Sequence, residues 1–178
     1  MKRILRRLDF IPFINRFLHR KYYATGFGTY LINTFFKKIL RIGHDFEGLL
    51  HFTSRAVSGK NIIIEQGEGS EKNYLSFATS GGCYYQALNG IEIGTGTLWS
   101  YGCQFISANH DFRNYSDHIS QKPIIIGRDV WMGSHVIILP GVRIGNNTII
   151  GAGSVVTRDI PENSVAVGNP ANVIRENV

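Results

Sequence analysis

The feature that most constrains the fold is a six-residue period in the C-terminal half of the chain. From Ile126 the sequence divides into the sextets IGRDVW, MGSHVI, ILPGVR, IGNNTI, IGAGSV and VTRDIP. The first place of every sextet is Ile, Met or Val, and the second is Gly in four of the six. The fifth place is small or β-branched throughout. Neither an amphipathic helix nor a hairpin ladder repeats at six residues, so another architecture is indicated.

A sextet with one bulky aliphatic residue and one glycine describes a short flat strand followed by a sharp corner. Three sextets close a triangular coil, and coils stack as parallel sheets about 4.8 Å apart. We expect the first place to fill the interior and the fifth to fit beside the corner. Glycine and asparagine, as in Ile144-Gly145-Asn146-Asn147, tolerate the left-handed backbone that such corners demand. The alternative, a β-sandwich with a chance period, leaves this regularity unexplained.

The same period is fainter upstream. It continues in IGTGTL from Ile93, WSYGCQ from Trp99 and FISANH from Phe105, with weaker traces at Leu75 and at the NIII run of 61–64. The stacked coils should therefore begin well before the clear sextets.

The period loses its phase between the two regions. The 33 residues from Ile93 to Ile126 are five sextets and three further residues. A stacked coil accepts extra residues only by looping them outward at a corner. We therefore predict a protruding loop at 111–123, beginning directly after His110.

The positive charge is concentrated in the N-terminal arm. Residues 1–42 contain ten Lys or Arg and one acid, whereas 43–178 contain nine bases and twelve acids. The body has no broad basic surface, so nucleic-acid binding is not indicated. We divide the chain into a basic helical arm at 1–42 and a β-helix domain at 43–178.

Two roles remain open for the arm, whose apolar residues recur at helical spacing between basic ones. It can lie on an anionic membrane surface, or it can cap the open end of the coils, and the two are compatible. The apolar runs are too short to cross a bilayer, and no signal peptide is recognisable. Cys83 and Cys103 suggest small buried thiols in a reducing compartment. We expect a cytoplasmic protein, with peripheral membrane contact as an option.

The sequence resembles the hexapeptide-repeat acyltransferases, the left-handed parallel β-helix family, over about 91–175. The stretches that carry the resemblance are NHDF at 109–112, the sextets of 126–161, and VGNPANVIR at 167–175. The similar branch includes galactoside and maltose O-acetyltransferases and O-acetyltransferases of bacterial surface polysaccharides. The resemblance implies an all-β fold, a left-handed parallel β-helix. It also implies a homotrimer with clefts between neighbouring subunits, where acyl-coenzyme A lies along the coils.

By the family pattern His110 is the general base that takes the proton of an acceptor hydroxyl. The oxygen then attacks the thioester of acetyl-CoA directly, without a covalent acyl-enzyme. Asp111 is a candidate to orient the imidazole. His118, on the loop, is a weaker candidate for contact with the acceptor or a neighbouring subunit, and His135 should be exposed.

Six further positions match the family's donor site. Trp131 falls where a tryptophan lines the cleft, and Ser134 and Ala152 match positions beside the pantetheine. Thr157 and Arg158 match a Thr-Lys pair near the coenzyme phosphates, with Arg keeping the charge. The remaining match is the C-terminal phosphate-contacting arginine, here Arg175.

The chain departs from the galactoside branch at three positions. Asn172 replaces a second arginine, and Ser80 and Leu88 align with the Asn and Asp that grip the sugar, so acceptor recognition should differ. No metal is expected, because the spacing of His110, His118 and His135 does not match the zinc site of the γ-class carbonic anhydrases, which share the β-helix.

The sequence thus predicts an O-acetyltransferase that moves an acetyl group from acetyl-CoA to a sugar hydroxyl, in surface polysaccharide or glycan biosynthesis. Two enzyme alternatives stay open, an N-acyltransferase on an amino-sugar nucleotide and an acetyltransferase that modifies antibiotics. A structural β-helix without catalysis is the non-enzymatic alternative.

Overall fold

The computed structural model describes residues 25–177. In chain order its elements are α1 (Phe27–Lys38), β1 (Arg55–Val57), a 3₁₀ turn (Gly59–Asn61), β2 (Ile62–Ile64), α2 (Ser70–Thr79), β3 (Tyr84–Gln86), β4 (Ile91–Ile93), β5 (Leu98–Trp99), β6 (Gln104–Ile106), β7 (His110–Asp111), β8 (Asn114–His118), β9 (Ile124–Ile126), β10 (Trp131–Met132), β11 (Ile137–Ile138), β12 (Arg143–Ile144), β13 (Ile149–Ile150), β14 (Val155–Val156), β15 (Ser164–Gly168) and β16 (Ala171–Glu176).

The short strands form three sheets in which neighbouring strands come from successive coils. Sheet A has the order β1-β3-β6-β11-β14, sheet B has β2-β4-β9-β12, and sheet C has β5-β10-β13-β15-β16. All pairings in the three sheets are parallel except β15 with β16, which closes the last coil as an antiparallel pair. The chain passes from sheet A to B to C and back to A, as a three-sided β-helix does. This confirms the predicted left-handed parallel β-helix.

The interior is built from the places that the period singles out. The first-place residues from 126 to 156 are each at most 2% exposed, and the fifth-place residues from 130 to 160 at most 3%. Register pairs equivalent residues, so Ile126 lies on Ile144 and Ile150 lies on Met132. Each coil therefore buries the inner surface of the next, which is how a repeat fold is stabilised.

The interior of the N-terminal coils is filled by aromatic rings. Phe77, Tyr85, Trp99 and Phe105 are buried and contact one another at centroid distances of 4.7–6.3 Å. Phe77 comes from α2, which takes the place of a strand between β2 and β3. The faint trace of the six-residue period at Leu75 therefore does not mark a strand, because Leu75 lies in α2.

The corners need special backbone at the fourth place of the sextet. Asp129, His135, Gly141, Asn147 and Gly153 all have positive φ, between 52° and 74°. This confirms left-handed corners and places Asn147 in one of them.

The second-place glycines have a different role from the one expected. Gly145 does not have positive φ, and neither does Gly127. A Cβ on Gly127 would lie 2.7 Å from the backbone nitrogen of Asn146 in the next coil. Glycine is required at this place because stacked coils approach too closely for a side chain.

The predicted arm is helical at α1, and its residues 1–24 lie outside the residues that the structure describes. The helix ends at Lys38, as the basic residues of its last turn favour. It packs on α2 at the N-terminal end of the coils, where Asn33 donates from Nδ2 to the carbonyl oxygen of Ala78 at 2.9 Å. Within residues 25–177, no helix combines the length and apolar character needed to cross a membrane.

Candidate active site

The residues that break the period form a β-hairpin at the corner between sheets A and B. Ile93 pairs with Ile126, and β5 and β6 follow Ile93 at steps of six residues, so the additional chain lies between β6 and β9, at this one corner. Strands β7 and β8 pair antiparallel, with His110 opposite His118. Every residue from 112 to 118 is exposed, including Phe112 at 82% and Tyr115 at 71%. The protruding loop predicted after His110 is present.

Asn89 fastens the two ends of this hairpin. Its Nδ2 donates to the carbonyl oxygens of Ser107 and Ile119, each at 2.9 Å. Its backbone N–H also donates to the Ser107 hydroxyl at 3.0 Å. The hairpin therefore leaves the coils at a fixed angle, although its own strands are exposed.

The imidazole of His110 is held by a backbone group. Its Nδ1 lies 2.7 Å from the carbonyl oxygen of Tyr115. A carbonyl oxygen only accepts, so Nδ1 carries the proton and Nε2 of the neutral ring keeps its lone pair. The ring of His118 packs on the same imidazole, with centroids 4.5 Å apart. This arrangement suits a general base at Nε2.

Asp111 does not orient the imidazole within this chain. Its Oδ1 accepts from the backbone N–H of Arg113 at 2.8 Å, which closes the turn of the hairpin. Consecutive strand residues point to opposite faces, so the neighbour of His110 is directed away from the ring. The orienting group is the Tyr115 carbonyl instead.

Three of the predicted donor-site residues lie together along the edge between sheets C and A. Trp131 is on β10 with 55% of its surface exposed. Ser134 and Ala152 occupy equivalent corners of successive coils, joined by a bond of 2.9 Å from Gly153 N–H to the Ser134 carbonyl oxygen. Ala152 is exposed and Ser134 half-buried. The column of corners thus presents small side chains beside one large aromatic ring.

The phosphate candidates lie at the C-terminal end of the coils. Thr157 and Arg158 follow β14, and Arg175 is on β16 opposite Val165. All three are exposed. The guanidinium of Arg158 donates to the side-chain oxygen of Asn172, so this departure from the family pattern positions a cation.

The two groups of site residues flank sheet A on opposite sides. His110 leaves from the corner between A and B, whereas Trp131, Ser134 and Ala152 lie where C meets A. No hydrogen bond or ring contact joins the hairpin to that column within the described chain. Within one copy, the hairpin and this column are therefore separate groups of candidate site residues.

Three groups that hold candidate site residues or the hairpin in place were not predicted from the sequence. The Tyr115 carbonyl is a backbone group and carries no side-chain signal. Asn89 precedes the hairpin by some twenty residues, and nothing in its local sequence marks it as a clamp. Asn172 was noted only as a departure from the family pattern.

His135 is exposed, as predicted, and its ring contacts Tyr101 edge-on. Over residues 25–177, no cluster of three or more His, Cys, Asp or Glu is arranged to hold a metal ion.

Comparison with known proteins places these features in a family context. The family described as "Bacterial transferase hexapeptide (six repeats)" matches residues 123–158. A provisionally named acetyltransferase of Staphylococcus aureus (strain COL) is 44% identical over 182 aligned positions, covering 90% of this chain and 89% of that protein. Galactoside O-acetyltransferase of Escherichia coli (strain K12) is 57% identical over 68 residues, covering 38% of this chain.

Solved structures agree. A maltose O-acetyltransferase from Clostridium difficile 630 has a TM-score of 0.55 and 36% identity over 69% of this chain and 63% of its own. A galactoside acetyltransferase in complex with coenzyme A has a TM-score of 0.53 and 33% identity over 70% of this chain and 60% of its own. The match spans only 33% of the E. coli enzyme and 49% of two further S. aureus relatives.

Proposed function

Because the chain belongs to the bacterial hexapeptide-repeat acetyltransferases, we propose that it transfers an acetyl group from acetyl-coenzyme A to a hydroxyl group of a sugar. The names of the similar proteins support the donor and the class of acceptor, since they include galactoside and maltose O-acetyltransferases and a complex with coenzyme A. The observation that carries the proposal is the hydrogen bond from His110 Nδ1 to the Tyr115 carbonyl, which leaves Nε2 as an exposed base.

In the proposed reaction His110 Nε2 removes the proton of the acceptor hydroxyl as its oxygen attacks the thioester carbonyl. The new C–O bond replaces the C–S bond, and the imidazolium returns its proton to the departing thiolate. The donor supplies an activated acetyl group with a good leaving group. The Tyr115 carbonyl accepts from Nδ1 throughout and so keeps the ring oriented with Nε2 towards the reacting groups.

The column beside sheet C is the proposed cradle for the pantetheine arm. Ala152 and Ser134 leave its surface open where larger side chains would fill it, and a Cβ added to the neighbouring Gly153 would meet nothing within 4 Å. Trp131 provides an exposed aromatic wall. Arg175 on β16 and Arg158, whose side chain reaches Asn172 on β16, are exposed cations at the C-terminal end of the coils, where the coenzyme phosphates would lie.

We further propose that the active site is shared between copies of the chain in a trimer. The hairpin and this column lie on the two edges of sheet A, so copies that meet across this sheet would bring the His110 edge of one beside the Trp131 edge of the next. Exposed Phe112 and Tyr115 on the hairpin support contact with a neighbour. A cyclic arrangement repeats the pairing at every interface.

The acceptor we favour is a glycan intermediate of surface polysaccharide assembly. Acetyl-coenzyme A is a cytoplasmic metabolite, so the reaction would take place there. A lipid-linked glycan would present its hydroxyl groups at the inner face of the cell membrane.

Release of coenzyme A thiol from acetyl-coenzyme A tests the proposal, with galactosides, maltose and lipid-linked oligosaccharides as acceptors. Turnover should depend on a sugar and fall by about a hundredfold or more in His110→Ala. His44→Ala is the matched control, because His44 is also exposed and also bonds a carbonyl, that of Arg41 at 3.1 Å. Full activity in His110→Ala, or no thiol release with any sugar, would refute the proposed reaction.

A further inference from the structure

Helix α1 is packed with its polar side towards the body of the protein. Asn33 is 1% exposed, and its amide both donates to the Ala78 carbonyl and accepts from the Phe52 N–H at 3.0 Å. Lys37 Nζ donates to the carbonyl oxygens of Phe46 and Gly48 at 2.5 and 2.7 Å. Ala78 belongs to the last turn of α2, where carbonyl groups lack helical partners. Polar side chains are therefore needed on this side of α1.

The opposite side of the helix is apolar and exposed. Leu31, Ile32 and Phe35 of the helix, and Ile39 directly after its last residue, are 48%, 46%, 53% and 65% exposed. Their spacing of three and four residues places them in one stripe, hereafter the α1 stripe. A helix that turns its polar side inward and four large apolar side chains outward is unusual for a soluble surface and marks a docking surface.

Exposed basic residues border the α1 stripe. Lys38 and Arg41 are exposed beside it, and residues 25–42 contain no acidic residue. The whole segment 1–42 contains ten bases and one acid. An apolar stripe bordered by cations fits the boundary between anionic headgroups and acyl chains. A second copy would bring two such basic segments together, and a nucleic acid would not cover the apolar side chains.

We propose that the α1 stripe docks on an anionic lipid surface, with Phe35 and its neighbours entering the acyl boundary and Lys38 and Arg41 contacting the headgroups. Docking through α1 would hold the N-terminal end of the coils at the membrane.

Co-sedimentation of the full chain with vesicles tests this docking, using phosphatidylcholine with and without phosphatidylglycerol. Wild type should bind the anionic vesicles and lose binding at high salt. The triple variant Leu31→Ser, Phe35→Ser, Ile39→Ser should bind at least about tenfold more weakly, because three large side chains no longer leave water. Lys38→Gln with Arg41→Gln should weaken binding to anionic vesicles only.

Ile63→Ser is the matched control, because Ile63 is 60% exposed on β2, away from α1, and should leave vesicle binding unchanged. Acetyl transfer to a soluble sugar should be the same in all these variants, which separates lipid docking from the proposed reaction. Unchanged vesicle binding of the triple variant would overturn the proposal. Two other results for the triple variant would also overturn it: a smaller oligomer, or a lowered melting temperature with intact vesicle binding. Either result would mean that another part of the protein covers the stripe.

Discussion

His110 Nδ1 lies 2.7 Å from the carbonyl oxygen of Tyr115, five residues further along the same hairpin. A side chain is thus oriented by the backbone of its own loop rather than by a carboxylate. The orientation depends on the hairpin keeping its path, because a carbonyl group moves with the chain that carries it. Residues that fix the path of the hairpin should therefore affect catalysis without touching substrate.

Asn89→Ala should lower kcat by about tenfold or more while leaving the KM for acetyl-coenzyme A nearly unchanged. The substitution removes the two bonds that hold Ser107 and Ile119, and the base of the hairpin then loses its anchor. Steady-state kinetics with separate variation of donor and acceptor would measure this.

Asn61→Ala is the matched control for the clamp. Asn61 makes a similar bond of 3.0 Å, from Nδ2 to the Ala87 carbonyl oxygen, in the same column of corners but away from the hairpin. Asn61→Ala should lose about 1 kcal/mol of stability and Asn89→Ala about 1–3 kcal/mol, because it loses two bonds, whereas only Asn89→Ala should lose turnover. Equal kinetic effects in the two variants would contradict a positioning role for Asn89.

The repeating part of the fold follows from the sequence because each place in the sextet has one physical requirement. Ile144 must fill the interior, and Asn147 must accept a left-handed corner, so both could be assigned from the pattern. The reason for Gly145 could not be read so easily. A glycine at this position is compatible with positive φ. The requirement for glycine comes instead from the close approach of the next coil, and that distance is known only once the coils are stacked.

The same limit applies to α1 and to the site. Periodicity identifies which side of α1 is apolar but not which side is buried, and here the orphan carbonyl of Ala78 favours Asn33 on the buried side. The break in phase located the hairpin and His110. It could not reveal that Tyr115 orients the ring, because every residue has a carbonyl group.

Gly127→Ala should lower the free energy of unfolding by about 1–3 kcal/mol. Its Cβ would lie 2.7 Å from the Asn146 nitrogen, so one coil would have to move away from the next. Chemical denaturation would measure the loss. Gly28→Ala in α1 is the comparison, because a Cβ there meets nothing within 4 Å, and it should raise stability by up to about 1 kcal/mol. Unchanged stability of Gly127→Ala would refute the stacking argument for glycine.

The ion pair of Glu65 with Arg128 should make a small contribution to stability that disappears in acid. The Arg128 guanidinium, assisted by the Thr95 N–H, lowers the pKa of Glu65 from 4.5 to about 2. A carboxylate with a depressed pKa in the folded state stabilises it fully above pH 4.5, and this is lost as the pH falls towards 2.

Glu65→Gln should therefore lower the melting temperature by at most about 3 °C at pH 7, because the pair is exposed, and the difference from wild type should vanish near pH 2. In the Arg128→Gln background the same substitution should have a smaller effect at pH 7. Differential scanning calorimetry across this range would decide, and a difference that grows in acid would show that the sign is wrong.

Mixed assemblies test whether the active site is shared between copies. His110→Ala disables the edge between sheets A and B, and Ala152→Trp should block the pantetheine cradle at the edge between C and A. Each variant alone should be inactive, and size-exclusion chromatography should show that each keeps the oligomeric state of wild type. In a shared site, each interface combines the A–B edge of one copy with the C–A edge of the next. The site at an interface is intact only when the His110→Ala chain supplies the C–A edge and the Ala152→Trp chain supplies the A–B edge. An equal mixture, denatured and refolded together, should then recover about a quarter of wild-type activity.

Mixing the variants without refolding is the control and should recover none. No recovery in refolded mixtures that contain both chains would mean that each copy holds a complete site.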